Sequence, residues 1–255
     1  MSAIHSIRES SVSPGNAREA TPLWHLVLWA FAVSGFCALA YEVLWTRILV
    51  FFLGSTSYAF STMLAAFLFG IASGSFLFAW MADRMKSLVS LFGLVQIGIG
   101  LSAVALIPAF GELYGISRAF QAAFGEGRIW AFVACIVVMI VPTFLMGGSF
   151  PIVTRIYTVR REQLGRSIGN VYSINTVGAI FGSFIAGFIL IPTIGIRPSI
   201  VLMAVLNTVM GCVLVLRSQK AAPNLSPGPS PRGEGRGGRG ESPPSRHSLP
   251  LHRQG

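Results

Sequence analysis

Two charged side chains inside a long apolar stretch are the residues of this sequence best suited to chemistry. They are Glu42 and Arg47, which belong to the run YEVLWTR at residues 41–47. A charge at membrane depth costs at least ~2.5–3.5 kcal/mol, so such a side chain normally faces protein or water and finds a partner. We therefore predict a substrate or proton site here, with Glu42 as the carboxylate that meets a cation.

A structural interpretation of the same residues stays open beside the functional one. Glu42 and Arg47 could both lie near the outer membrane interface, where Tyr41 and Trp45 would belong to an aromatic belt. In either case their spacing turns the two charged side chains well apart on a helix, so each should reach a different neighbour.

A second charged group, Asp83 with Arg84, follows Gly74 at the end of another apolar segment. An acid and a base in a short turn can pair across to another helix and hold one conformation, as in transporter gates. Both are therefore candidate gating residues. The alternative is that Asp83 caps the next helix, while Arg84 and Lys86 only fix the orientation in the membrane.

Polar side chains gather at the start of a later apolar segment, at Asn170, Tyr172, Ser173, Asn175 and Thr176. Asn170 and Ser173 are three residues apart and share one helix face. Such residues either line a cavity or hydrogen-bond to a neighbouring helix, which is the commoner use in membranes. We add Asn170 and Asn175 to Glu42 and Arg47 as candidate substrate contacts.

The sequence lacks the patterns that are typical of soluble catalytic or cofactor sites. No GxGxxG motif follows a strand, and no Walker, HExxH or GxSxG motif occurs. Cys37, Cys135 and Cys212 stand alone without CxxC or Cys/His spacing, so neither a metal site nor a disulfide framework is indicated. From these patterns we expect no catalysis by this chain alone and no cofactor.

Composition indicates which elements must position these residues. Hydrophobic residues make up 53% of the 255 residues and charged ones only 11%, against roughly 25% in soluble domains. Lipid must therefore cover the outside, where only helices satisfy their own backbone groups. A helix needs about 20 apolar residues to cross a bilayer. This predicts an all-α membrane protein with six transmembrane helices, at 23–43, 58–81, 88–109, 129–150, 168–191 and 199–216.

The distribution of basic residues predicts the orientation of these helices. Arg and Lys favour the N-terminal arm, the turn after the second helix, the segment 154–167 and the tail over the three other connections. The positive-inside rule then places both termini in the cytoplasm, as an even number of spans requires. The net charge of +10 follows this pattern and is not pooled on one face, so no specific nucleic acid partner is expected.

A short internal repeat links the second and fifth predicted spans. Gly70 and Gly74 belong to the motif GxxxGSF in one of them, and Gly178 and Gly182 to the same motif in the other. Spans two and five would be equivalent and run in opposite directions in an inverted three-plus-three repeat. Small residues four apart also let helix backbones approach closely without any repeat. The four glycines are candidate packing positions under either interpretation.

The two ends of the chain differ from its apolar part. Residues 1–22 form a polar arm ahead of the six-helix domain at 23–217, and the apolar run after the arm is too long for a signal-peptide core. Residues 218–255 are rich in Pro, Gly, Ser and Arg, a composition that cannot bury enough apolar area to fold. We expect a disordered tail there. One hypothesis is that this tail replaces the end of an interrupted longer reading frame.

A series of short pieces runs through the apolar part of the chain in a fixed order. Among them are SGF at 34–36, YEVLWTR at 41–47, ADR at 82–84, MGGSFP at 146–151 and GNVY at 169–172. In this order they resemble the membrane portion of bacterial fused proteins that join a major-facilitator-like domain to a spermidine synthase-like domain. The resemblance covers about residues 23–216. It implies half of a major-facilitator fold in the bacterial cytoplasmic membrane.

The C-terminal domain of that family would transfer an aminopropyl group from decarboxylated S-adenosylmethionine to a diamine. Here the resemblance stops before such a domain, so we expect a module that is not an enzyme. The leading function is a transporter-like module linked to polyamines, with Glu42 contacting a cationic amine and Arg47 and Asp83 as conformational partners. The alternatives are an anchor for a separate spermidine synthase-like soluble domain, and an inactive truncated fragment. A half-sized transporter also leaves a homodimer open.

Overall fold

The protein is a bundle of long helices, described here from a computed structural model that covers residues 14–54, 56–85, 87–127, 129–157 and 164–221. Within these ranges no residue belongs to a β-strand, so the prediction of an all-α fold is confirmed. A π-helical turn, Ala186–Leu190, joins the sixth helix to a short seventh one. The helices are α1 Pro14–Leu53, α2 Thr56–Ala82, α3 Leu88–Gly111, α4 Leu113–Phe124, α5 Ile129–Tyr157, α6 Leu164–Ile185, α7 Ile191–Ile194 and α8 Ile196–Ala221.

Among the described residues, six helical segments are long and apolar enough to cross a membrane, as the composition predicted. They are Leu23–Leu53, Phe60–Ala82, Leu88–Gly111, Ile129–Tyr157, Ile168–Ile194 and Ile196–Lys220, and we number them as spans one to six. The first span is longer than predicted, since α1 continues without a break past Glu42. That carboxylate therefore lies inside the apolar helix, about three turns before its end, rather than at the end.

The predicted ends of the six-helix domain lie close to helix limits. Helix α1 begins at Pro14, so residues 14–22 of the predicted arm are helical. Helix α8 ends at Ala221, so the first four residues of the predicted tail are helical as well. The predicted disorder of the remaining tail falls outside the described residues.

The spans are held together in three pairs by very close backbone contacts. Spans two and four run parallel, and they approach so closely that a Cβ added at Gly74 would collide with the carbonyl group of Phe144. Spans five and one also run parallel, and a Cβ added at Gly182 would collide with the carbonyl of Phe36. Small residues at such positions are the usual means by which membrane helices approach each other.

These contacts have the symmetry of a repeat in which spans one, two and three correspond to spans four, five and six. The pair formed by spans two and four then corresponds to the pair formed by spans five and one. The same number of residues separates Gly74 from Gly182 as separates Phe36 from Phe144. Spans three and six correspond to each other in this repeat. They form an antiparallel pair in which Gly93 and Gly211 are in mutual backbone contact. This is the arrangement that an inverted repeat produces.

The glycine contact between spans one and five leads to a test of the packing. We expect Gly182→Val to destabilise the protein by about 1–3 kcal/mol, because the side chain has no room beside the carbonyl of Phe36. Gly169→Val is the matched control, since it lies in the same helix with nothing within 4 Å of an added Cβ. Thermal unfolding in detergent, followed by size-exclusion chromatography, measures both. Equal melting temperatures for the two variants would contradict the close contact.

Candidate functional site

Glu42 is a half-buried carboxylate inside span one, nearer to the end of the span than to its start. Its side chain has neither a hydrogen bond nor an ion pair with any residue that the structure describes. The nearby Thr46 hydroxyl donates a hydrogen bond of 2.7 Å to the backbone carbonyl of Glu42, not to the carboxylate. A charge at this depth normally has a partner. The carboxylate is therefore available to a cation or to water that enters the bundle.

The π-helical turn of span five lies beside this part of span one. Gly182 packs on Phe36, and an added Cβ at Gly187 would lie 3.8 Å from the Cγ1 atom of Val43. Ile191 donates its amide to the carbonyl of Ala186, which is the wider hydrogen-bonding pattern of a π turn. Such turns inside α-helices are frequent at functional sites. The lone carboxylate and the irregular turn thus lie at the same level of the bundle.

Tyr41 and Trp45 flank Glu42 in sequence, but they do not form an aromatic belt at the membrane interface. Both side chains are fully buried inside the bundle, and their rings stack with centroids 5.0 Å apart. The structure therefore contradicts the interfacial interpretation for these two rings. The physical reason is that span one is a central helix, which packs against spans two, five and six, so these rings face protein rather than lipid.

Two buried amide side chains, Gln96 of span three and Asn207 of span six, were missed in the sequence analysis. Asn207 lies beside the hydroxyl of Tyr41, but the two do not form a hydrogen bond of normal geometry. Neither the Gln96 amide nor the Asn207 oxygen has a hydrogen-bond partner among the described residues. The sequence could have indicated these two residues, because both are polar residues inside long apolar segments.

The structure does not bring the four candidate substrate residues into one pocket. Asn175 lies against Gly35 of span one, about 10 Å below Glu42 by the rise of a helix. Asn170 lies farther from Glu42 and is exposed. Arg47 is exposed too, and its position is turned by about 140° from Glu42 around α1. Of the four, Glu42 and Asn175 are the two on the facing sides of spans one and five.

Asp83 forms an ion pair with Arg155, at 3.2 Å between Oδ1 and the guanidinium, and so connects the ends of α2 and α5. The capping alternative for Asp83 is wrong, because the residue at the N-terminal cap of α3 is Ser87. Arg84 lies over the ring of Trp80, with 3.8 Å between the guanidinium carbon and the ring centroid. This is a cation–π contact within one segment, not a link to another helix.

A further contact holds the same end of α5. The Tyr157 hydroxyl donates a hydrogen bond of 2.5 Å to the carbonyl of Trp24 at the start of span one, and the two rings meet edge to face. Together with the ion pair of Arg155, this contact connects α5 to both α1 and α2 at one end of the bundle. A gate at this end would have to break both contacts.

The chain is similar to one part of several polyamine aminopropyltransferases. Polyamine aminopropyltransferase 2 of Streptomyces coelicolor is 27% identical over 199 residues, which are 75% of this chain and 34% of that protein. Polyamine aminopropyltransferase 2 of Ralstonia nicotianae is 28% identical over 191 residues, 72% of this chain and 33% of that protein. The polyamine aminopropyltransferase of Leptospira interrogans is 27% identical over 193 residues, 72% of this chain and 35% of that protein.

The chain thus spans about a third of the length of the curated relatives it matches. No family model matches it, and no solved structure matches it. The similarity to polyamine aminopropyltransferases covers most of this chain, in agreement with the resemblance to fused proteins of polyamine synthesis.

The expectation that the chain is not an enzyme is contradicted by these relatives, each of which is named as an aminopropyltransferase. That expectation rested on the absence of motifs that belong to soluble catalytic domains. Such motifs are not expected in apolar helices, and the matched region is only a part of each relative. The absence of these motifs from this chain is therefore no argument against a role in an enzyme.

The ion pair between Asp83 and Arg155 can be measured by a double-mutant cycle with Asp83→Asn and Arg155→Gln. Because the two side chains are 64% and 54% exposed, we expect a coupling free energy of at most about 1 kcal/mol, which weakens as salt is added. Thermal unfolding of the single and double variants in detergent gives the value. Strictly additive effects at low salt would show that the two side chains do not pair.

Proposed function

We propose that this chain is a transporter-like membrane module of polyamine metabolism in the bacterial cytoplasmic membrane, with both termini in the cytoplasm. The observation that carries the proposal is the carboxylate of Glu42, which lies inside a membrane span and has no partner among the described residues. Polyamines are flexible cations whose ammonium groups pair with carboxylates. The names of the relatives point to the same class of molecule.

The chemistry of such a site follows from its surroundings. In the interior of the bundle the effective dielectric constant is lower than in water, so the Coulomb attraction between an ammonium group and the Glu42 carboxylate is stronger there than at the surface and offsets part of the desolvation of both charges. A protonated amine also donates hydrogen bonds, and the Asn175 side chain on the facing span offers a further acceptor. The carboxylate would neutralise one ammonium group, and the rest of a polyamine would extend along spans one and five.

Movement of a bound cation would require the helices to rearrange. Each close glycine contact joins a span of one three-span repeat to a span of the other, so the six-span bundle would move as one body and would rock against a second copy. The Asp83 ion pair with Arg155 joins span two of the first repeat to span four of the second. It would hold this end of the bundle in one conformation, as a candidate gating contact. Half of a major-facilitator fold, with a second copy as the other half, fits this arrangement.

Uptake into proteoliposomes tests the proposal directly. We expect labelled putrescine or spermidine to accumulate with the parent chain and to fall about tenfold or more with Glu42→Gln, since a hydrogen bond to a charged group contributes about 1.5–3 kcal/mol. Glu112→Gln removes an exposed carboxylate from the connection before α4 and is the matched control. Equal uptake by the Glu42→Gln variant and the parent would remove the site assignment. No uptake by the parent would remove the transporter function.

A second candidate function is anchoring of a spermidine synthase-like soluble domain at the membrane. It is favoured by the length of the relatives, about two thirds of which lies outside the region that this chain matches. With this function the chain only has to attach the soluble domain to the membrane, and Glu42 has no role in transport. The third alternative, that the chain performs neither task, would be supported by its absence from membranes.

The anchoring function predicts a stable complex. We expect the tagged chain, purified in a mild detergent, to retain a soluble synthase-like protein from the same cells, with aminopropyltransferase activity in the eluate. Glu42→Gln should leave this retention unchanged, because the residue lies inside a span and not in a connection that a soluble protein could reach. An eluate without that activity, from cells whose membranes contain both proteins, would count against an anchor.

A further inference from the structure

A pocket of about 220 Å³ opens at the end of the bundle that lies opposite the ion pair of Asp83 and Arg155. It is bounded by the end of α1, the end of α3 and the start of α8. One lining residue, Arg197, is charged, and every other lining residue is glycine or a large apolar residue. The apolar side chains come from Ile48, Ile107, Phe110, Ile196 and Ile200.

The depth of the pocket in a membrane follows from the limits of the spans. Gly111 is the last residue of span three, and Arg197 is the second residue of span six. Ile48 lies within the last two turns of span one. Three spans therefore reach their ends around this pocket, which places it where lipid headgroups meet the acyl chains.

The charge of Arg197 is not neutralised by the part of the protein that the structure describes. Its side chain is exposed and forms no ion pair there. It belongs to the first turn of α8, where the free amide groups of the helix already carry a positive partial charge. A basic side chain at this end adds to the local positive potential, so the mouth of the pocket attracts an anion.

We propose that this pocket binds a phospholipid with an anionic headgroup, whose phosphate contacts Arg197 while the upper part of an acyl chain fills the apolar pocket. Neither feature alone selects this ligand. A free phosphate would use the guanidinium but leave the pocket empty, and a neutral hydrocarbon would fill the pocket without using the charge. Only an amphipathic anion at the membrane interface uses both.

Lipid retention by the purified full chain tests the proposal. The protein is reconstituted with equal amounts of phosphatidylglycerol and phosphatidylcholine that carry the same acyl chains, extracted in mild detergent, and its bound lipids are counted by native mass spectrometry. We expect phosphatidylglycerol to be preferred by the parent chain. Arg197→Gln should lower that preference about fivefold, since a basic residue near anionic lipid contributes about 1 kcal/mol. Arg118→Gln, an exposed arginine of α4 that does not line the pocket, should leave it unchanged.

A second variant tests the apolar part of the site. Gly111 lines the pocket, and an added Cβ there has nothing within 4 Å, so Gly111→Leu adds an apolar side chain at the edge of the pocket without a collision at its Cβ. We expect it to lower lipid retention while the melting temperature stays close to that of the parent. Millimolar inorganic phosphate should not displace the lipid. Unchanged retention with both variants, displacement by free phosphate, or an equal loss with Arg118→Gln would overturn the proposal.

Discussion

Close contact between glycine and a backbone carbonyl is the interaction on which the rest of this structure depends. Inside a bilayer there is no hydrophobic force to drive one apolar helix onto another, so van der Waals packing must hold the bundle. Gly74 against Phe144 and Gly182 against Phe36 bring two pairs of parallel helices to backbone contact. The antiparallel pair of spans three and six uses Gly93 and Gly211 in the same way. The side chains of the bundle are placed by these three contacts.

One consequence concerns Glu42. The contact of Gly182 with Phe36 fixes span five alongside span one, and the π-helical turn then falls beside the level of the carboxylate. This wider turn lies inside the fifth span, which continues beyond it to Ile194. The position of the carboxylate is thus set by packing between uncharged groups. A partner for its charge would be a ligand, water or another chain.

The sequence predicted the fold better than it predicted the site, and the reasons are physical. Six spans could be counted because an apolar run of sufficient length has few alternatives in lipid. The glycines could be found because small residues at a spacing of four repeat in two spans. The partners of charged residues could not be found, since Asp83 pairs with Arg155 across two helices whose contact no local pattern reveals. The aromatic pair of Tyr41 and Trp45 fits a membrane interface by residue type, and only the tertiary packing shows it to be buried.

The buried amides of Gln96 and Asn207 bear on the stability of the bundle. Uncharged amides at membrane depth contribute little to helix association, on average about 0.6 kcal/mol per interhelical hydrogen bond, because partners also exist in the unfolded state in the membrane. Yet each lone buried polar group costs about 1–3 kcal/mol. Keeping Gln96, Asn207 and the Tyr41 hydroxyl unpartnered in the described part of the protein therefore opposes stability. Water or a ligand that entered the bundle would offset this cost by supplying the missing hydrogen-bond partners.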